Sequence, residues 1–167
     1  MDIKKLSEKF EVRKLSEVDV EQVLDLCVGN PLFYEYHPPI ATKESILEDM
    51  SALPPDKESC DKYYVGYYDA DSLVAVGDIV LDYPQIKVAY VGFFMVDISY
   101  QGKNVGTFIV EEMGNYLKEL GFEKIRLAID EGNPQSESFW VKNGFQKTGE
   151  RSANDFSAYL PMERVIC

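Results

Sequence analysis

Apolar residues change period along the chain, and each change marks an element. FEVRKL, from Phe10 to Leu15, alternates as a short strand, and from Glu17 to Val28 the residues Val20, Val23, Leu24 and Cys27 recur at helical spacing. That spacing predicts a helix with Cys27 on its core side. NPLFYEYHPPI, residues 30–40, follows neither period and reads as an irregular aromatic loop. Thr42, with Glu44 and Ser45 in the next turn, opens a helix that runs through Ile46, Leu47 and Met50 toward Pro54. Three runs rich in Val, Ile, Tyr and Phe come next: KYYVGYYD, SLVAVGDIVLD and IKVAYVGFFMVD. Turn residues at Asp69 to Asp71 and at Tyr83-Pro84-Gln85 separate them, which predicts an antiparallel meander.

Beyond YQGKNVGT, residues 100–107, the positions Val105, Phe108, Ile109, Met113, Tyr116, Leu117 and Leu120 trace one helical face, and Gly121 ends it. KIRLAID then reads as a strand. Asn133-Pro134 is a cap followed by a first-turn proline, opening a helix that reaches Gly144. Two last strands lie near FQKTGE and FSAYLPMERV. A strand–helix–strand unit after the loop implies one parallel pair inside an otherwise antiparallel sheet. No repeat, low-complexity tract or linker interrupts residues 1–167, so a single domain of mixed α/β (α+β) class is expected.

Charge narrows the choice of partners. With 29 acidic against 17 basic residues, a formal net charge of -12 argues against nucleic acid and anionic membrane and favours cationic ligands. Three cysteines far apart in sequence and one histidine suggest neither a metal site nor a disulfide framework. The start, MDIKKLSEKF, lacks the apolar core of a signal peptide, and VAYVGFFMV is too short to span a bilayer. A cytoplasmic protein is the reading that follows.

YQGKNVGT carries the first candidate chemistry. Between a buried strand and an amphipathic helix, its backbone amides and the helix dipole suit an anion, although a purely structural turn has the same appearance. Neither GxxxxGK nor GxGxxG is present. The order of elements, this loop and NPQSESFWVKNGF together resemble the GNAT superfamily of N-acetyltransferases over nearly the whole chain. The signature of that family is Gln or Arg, two free positions, Gly, one free position, then Gly or Ala. It stands here as Gln101, Gly102, Lys103, Asn104, Val105, Gly106, with Asn104 where a glycine is usual. The second element, an Asn followed by an aromatic pair and then Gly-Phe, stands as Asn133, Phe139, Trp140, Gly144 and Phe145.

The resemblance implies a GNAT fold: a twisted, mostly antiparallel sheet of about six to seven strands with one parallel pair, flanked by about four helices. It implies acetyl-CoA as co-substrate, without a metal. The pyrophosphate would lie on Gln101 to Thr107, with Lys103 adding charge, and the pantetheine arm along Phe94, Met95 and Val96. Asn133 would bond that arm or act only as a helix cap, and Trp140 would line the thiol end. Asn readily adopts the left-handed backbone. Asn104→Gly should therefore tighten binding if the side chain crowds the phosphate, and weaken it if the amide is a ligand.

The catalytic positions are less regular. Where the family often carries a carboxylate base, this chain has Tyr90, and where it often carries a tyrosine acid it has Trp140. Asp78 is a substitute base if a hairpin between Tyr83 and Lys87 brings it beside Gly92, the alternative being a solvated edge carboxylate. Tyr159 is a substitute acid. In the acceptor loop, Phe33, Tyr34, Tyr36 and His37 would form an aromatic wall and Glu35 would attract an ammonium, unless they pack onto the core or face solvent. The function this implies is acetyl transfer to a primary amine of a small molecule. Peptide or protein amino groups, and a non-catalytic acyl-CoA sensor, are the alternatives. A homodimer is the assembly that the resemblance suggests.

Overall fold

β-branched and aromatic residues in three successive runs pair with one another in the computed structural model, which describes residues 1–167. β1 (Glu11–Lys14) pairs with β2 (Lys62–Asp69), β2 with β3 (Ser72–Leu81), and β3 with β4 (Val88–Val96), all antiparallel. Between β1 and β2 lie α1 (Val20–Val28), α2 (Pro31–Tyr36) and α3 (Lys43–Ser51), with a 3-10 turn at Glu17–Asp19 leading into α1. α4 (Val105–Glu119) then crosses the sheet, so that β5 (Lys124–Asp130) runs parallel to β4. α5 (Pro134–Lys142), the two-residue strands β6 (Gln146–Lys147) and β7 (Ser152–Ala153), and β8 (Ala158–Val165) complete the chain.

Strand order is β1-β2-β3-β4-β5-β8-β6, with β7 on β8, giving eight strands and one parallel pair. The strand beyond expectation is β7, two residues long; β6 falls in FQKTGE, where a strand was expected. Five helices are present where about four were expected. The additional one is α2, in the segment read as irregular. Pro31 sits at its first turn, where a missing N–H costs nothing, and the chain leaves it at the cis Pro38-Pro39 bond.

Apolar residues fall into two cores, one on each face of the sheet. The larger includes Ile109, Met113 and Leu117 of α4 and Ile79, Val91 and Ile125 of the strands. The smaller joins Val23, Leu26 and Cys27 of α1 and Ile46 of α3 to Tyr64, Val76 and Met95. Phe108 and Leu120, placed by their spacing on the buried face of α4, are exposed. They flank the packed stripe at its margins.

Two breaks in regularity set up the site. β4 pairs with β5 only from Val88 to Val91, and its remaining residues have no partner on that side. At that point β4 also bulges against β3: Ile79 faces Val91 and Asp78 faces Phe93, leaving Gly92 unmatched. The extra residue turns the alternation over. Ala89 and Val91, then Phe94 and Val96, face the larger core, while Phe93 and Met95 pack with the smaller one.

Candidate active site

The loop between β4 and α4 is a row of unmet donors. Each backbone amide from Gly102 through Thr107 donates to no protein acceptor. Gly102 (φ 71°) and Asn104 (φ 59°) adopt left-handed conformations that curl the chain into a cradle at the start of a long helix, where the dipole is positive. Gly106 is held to a bare hydrogen by packing, since a Cβ there would come within 3.0 Å of the Phe139 ring. Such a cradle fits a phosphate group, and the neighbouring edge of β4 fits an extended amide chain.

The side chains of this loop do other work than that expected of them. Gln101 Nε2 donates to Asn30 Oδ1 at 2.5 Å and to the Val96 carbonyl at 2.9 Å. Asn30 Nδ2 donates to Leu26 and to the same Val96 carbonyl. Val96 thus has its carbonyl satisfied from within. Lys103 points outward, its Nζ on the Ser99 carbonyl, and is not at the groove. The cation there is Lys142 of α5, whose Nζ donates to Asn104 Oδ1 at 2.9 Å.

This groove, about 330 Å3, runs from the loop along Phe94, Met95 and Val96 to Asn133 and Trp140. Asn133 caps α5, its Oδ1 accepting from the Ser136 amide at 3.1 Å. Trp140 is buried edge-on against Phe139 and Phe145, each at 4.9 Å between ring centroids. Its indole is a wall. A second cavity of about 280 Å3 lies across the opening between β4 and β5, and both cavities share Phe33, Phe94, Ser136 and Trp140.

Acidic residues line the second cavity. Asp78 stands beside Gly92, where an added Cβ would meet its Oδ2 at 2.8 Å, so the smallest residue at the bulge makes room for the carboxylate. Instead of a solvated edge group, Asp78 is buried and takes Lys62 Nζ at 2.7 Å, while its Oδ1 has no hydrogen-bond partner. Burial raises its pKa against the lowering pull of Lys62. Asp49 of α3 faces the same space without an ion-pair partner, and Asp130 ends β5 there. Tyr90 and Tyr159 form phenolic walls, and burial raises the pKa of both, so each keeps its proton at neutral pH.

The expected acceptor segment divides. Phe33 and His37 line the second cavity; Tyr34 turns into the smaller core beside Cys27, and Glu35 and Tyr36 line neither cavity. Helical geometry is the reason, because positions four apart share a face and their neighbours cannot. His37, which a loop reading leaves at the surface, is held with Nδ1 3.1 Å and 3.0 Å from the two Asp130 oxygens. That hydrogen bond raises its pKa above 6.5.

Sequence reasoning missed Asn30, Asp49, Asp130, Ser136 and Lys142. Ser136 had a signal, since it lies one turn after Asn133 and four residues before Trp140. The others gather only through tertiary contact.

The arrangement agrees with what the chain is similar to. Among structures of known proteins, an acetyltransferase from Thermus thermophilus superposes with a TM-score of 0.75 at 16% identity, over 94% of this chain and 97% of that one. PaiA N-acetyltransferase from Thermoplasma acidophilum, solved in complex with coenzyme A, gives 0.68 at 20% identity, over 93% and 98%. A chimera of spermidine N-acetyltransferase SpeG from Vibrio cholerae and hSSAT gives 0.70 at 16%, over 95% and 96%. A search of curated sequences finds no match. The sequence itself matches the acetyltransferase (GNAT) family over residues 30–145, most of its length, and the chain therefore belongs to that family, N-acetyltransferases that draw the acetyl group from acetyl-CoA.

Proposed function

We propose that this protein acetylates a primary amine of a small cationic molecule, with the acetyl donor in the groove and the amine in the acidic cavity. The observation that carries the reading is the junction: a groove edged by unmet amides and a cavity edged by carboxylates meet at Phe33, Phe94, Ser136 and Trp140. The donor supplies an activated thioester carbonyl. The residues of this chain position it: amides 102–107 hold the pyrophosphate, the open edge of β4 at Phe94 pairs with the pantetheine arm, and Asn133 and Trp140 line its path.

On the acceptor side, Asp49, a carboxylate without an ion-pair partner, attracts an ammonium. Oδ1 of Asp78 is sealed and its Oδ2 is committed to Lys62, so the Asp78 charge is compensated and the pair forms part of the cavity floor. Tyr159, protonated at neutral pH and set at the rim, is the proton donor to the leaving sulfur. Tyr90 rests edge-on against Tyr83 at 5.3 Å and serves as a wall.

Titrating coenzyme A by thermal shift, then following thiol release with polyamines, amino acids, aminoglycosides and peptides, tests this reading. The expected result is a shift with coenzyme A and turnover fastest on small amines bearing a second positive charge. Absence of a shift removes the groove assignment, and turnover confined to peptides replaces the acceptor class. Tyr159→Phe should lower kcat by on the order of 10²-fold. An unchanged kcat would remove it as the acid.

A further inference from the structure

We infer that His37 is the proton acceptor for the incoming ammonium, with Asp130 as its positioning residue. The inference rests on the acetyl-transfer reading and adds the group that neither Tyr90 nor the sealed Asp78 supplies. His37 closes α2 and lines the acceptor cavity beside the shared Phe33, whose ring is 5.2 Å away. Asp130, 7% exposed, ends β5 where β4 has already separated from it.

Because both Asp130 oxygens lie near Nδ1, that nitrogen carries a hydrogen and donates it. In the neutral ring Nε2 is then the basic nitrogen. The side chain is 41% exposed, so a proton taken at Nε2 can pass to water, a route closed to Asp78 Oδ1. The other ionisable groups facing the cavity are Asp49 of α3, Asp78 of β3 with its partner Lys62 of β2, Tyr90 of β4 and Tyr159 of β8. The carboxylates favour imidazolium, and the phenols remain neutral in the working range.

Atoms and charge balance across the step. His37 Nε2 takes one proton from the ammonium and releases it to solvent. The freed electron pair on nitrogen forms the C–N bond to the acetyl carbonyl carbon, the C–S bond breaks with its electrons on sulfur, Tyr159 gives that sulfur its phenolic proton, and the second nitrogen proton restores the phenol. Neither oxidant nor metal is consumed.

Sign follows from the chemistry. Activity needs neutral His37, so kcat/KM falls as pH drops through the raised pKa of this residue; removing the Asp130 charge lowers that pKa and moves the acidic limb to lower pH.

His37 is the only histidine in the chain, so its imidazole resonances are unambiguous by NMR. The experiment compares the NMR titration of His37 with the acidic limb of kcat/KM, using spermidine or, where it is silent, the fastest amine of the panel. Wild type and Asp130→Asn are measured, with His37→Gln and coenzyme A affinity as controls. The expected result is that both midpoints lie above 6.5 in wild type and move down together in Asp130→Asn. His37→Gln should lose the limb and on the order of 10²-fold in kcat, with coenzyme A affinity retained. A limb that stays in place while the NMR midpoint moves, or a His37→Gln variant within two-fold of wild type, overturns the assignment. Failure of wild type to turn over any amine overturns the reading beneath it instead.

Discussion

Asn104 shows how one residue changes meaning when its neighbours are known. In the sequence it stands where a glycine is usual, and its side chain reads either as bulk beside a phosphate or as a ligand to it. In the structure the backbone is left-handed, as the turn demands, and the side chain holds Lys142 at the mouth of the cradle. Lys142→Met should weaken coenzyme A binding at low salt by roughly five-fold, about 1 kcal/mol. Asn104→Gly should act in the same direction, and the double variant should bind no more weakly than Lys142→Met alone. Isothermal titration of the three variants decides it. Tighter binding by Asn104→Gly would restore the crowding explanation.

At the scale of the element, β4 is the decisive strand. Its apolar run predicts a buried strand but gives no sign of which residues face which core, because every position from Val88 to Val96 tolerates burial. The bulge at Gly92 decides that, and it seats Asp78 against a backbone with no side chain. Gly92→Ala should push the carboxylate off Lys62 and cost about 1–3 kcal/mol of stability in urea unfolding. A neutral effect would mean that Asp78 relaxes without loss. α2 gives the complementary case, since a six-residue helix is too short to declare a period, and only its docking separates Phe33 and His37 from Tyr34, Glu35 and Tyr36.

For the molecule as a whole, the net charge of -12 acquires a direction. Carboxylates converge on the second cavity, whereas the cradle on the other side of the junction presents unmet amides and Lys142. Under the proposed function this field steers a cationic amine toward one mouth and is offset locally at the other. kcat/KM for a cationic amine should fall several-fold between low and physiological ionic strength, with a neutral amine much less affected. Equal salt dependence for the two would assign the charge to solubility alone. No helix is long and apolar enough to cross a membrane.

Period, turn chemistry and two short motifs were enough to determine the strands other than β7, α1, α3, α4 and α5, the parallel crossover and the turn that leads into α4, because each depends on residues near one another in sequence. The two cavities depend on contacts across the fold. Asp130 meets His37 from 93 residues away, Lys142 meets Asn104 from 38, and Asp78 finds Lys62 and Gly92 on two different strands. Register, a single bulge and the packing of one short helix chose these partners. No local pattern encodes such choices, since they follow from which arrangement buries the two cores together.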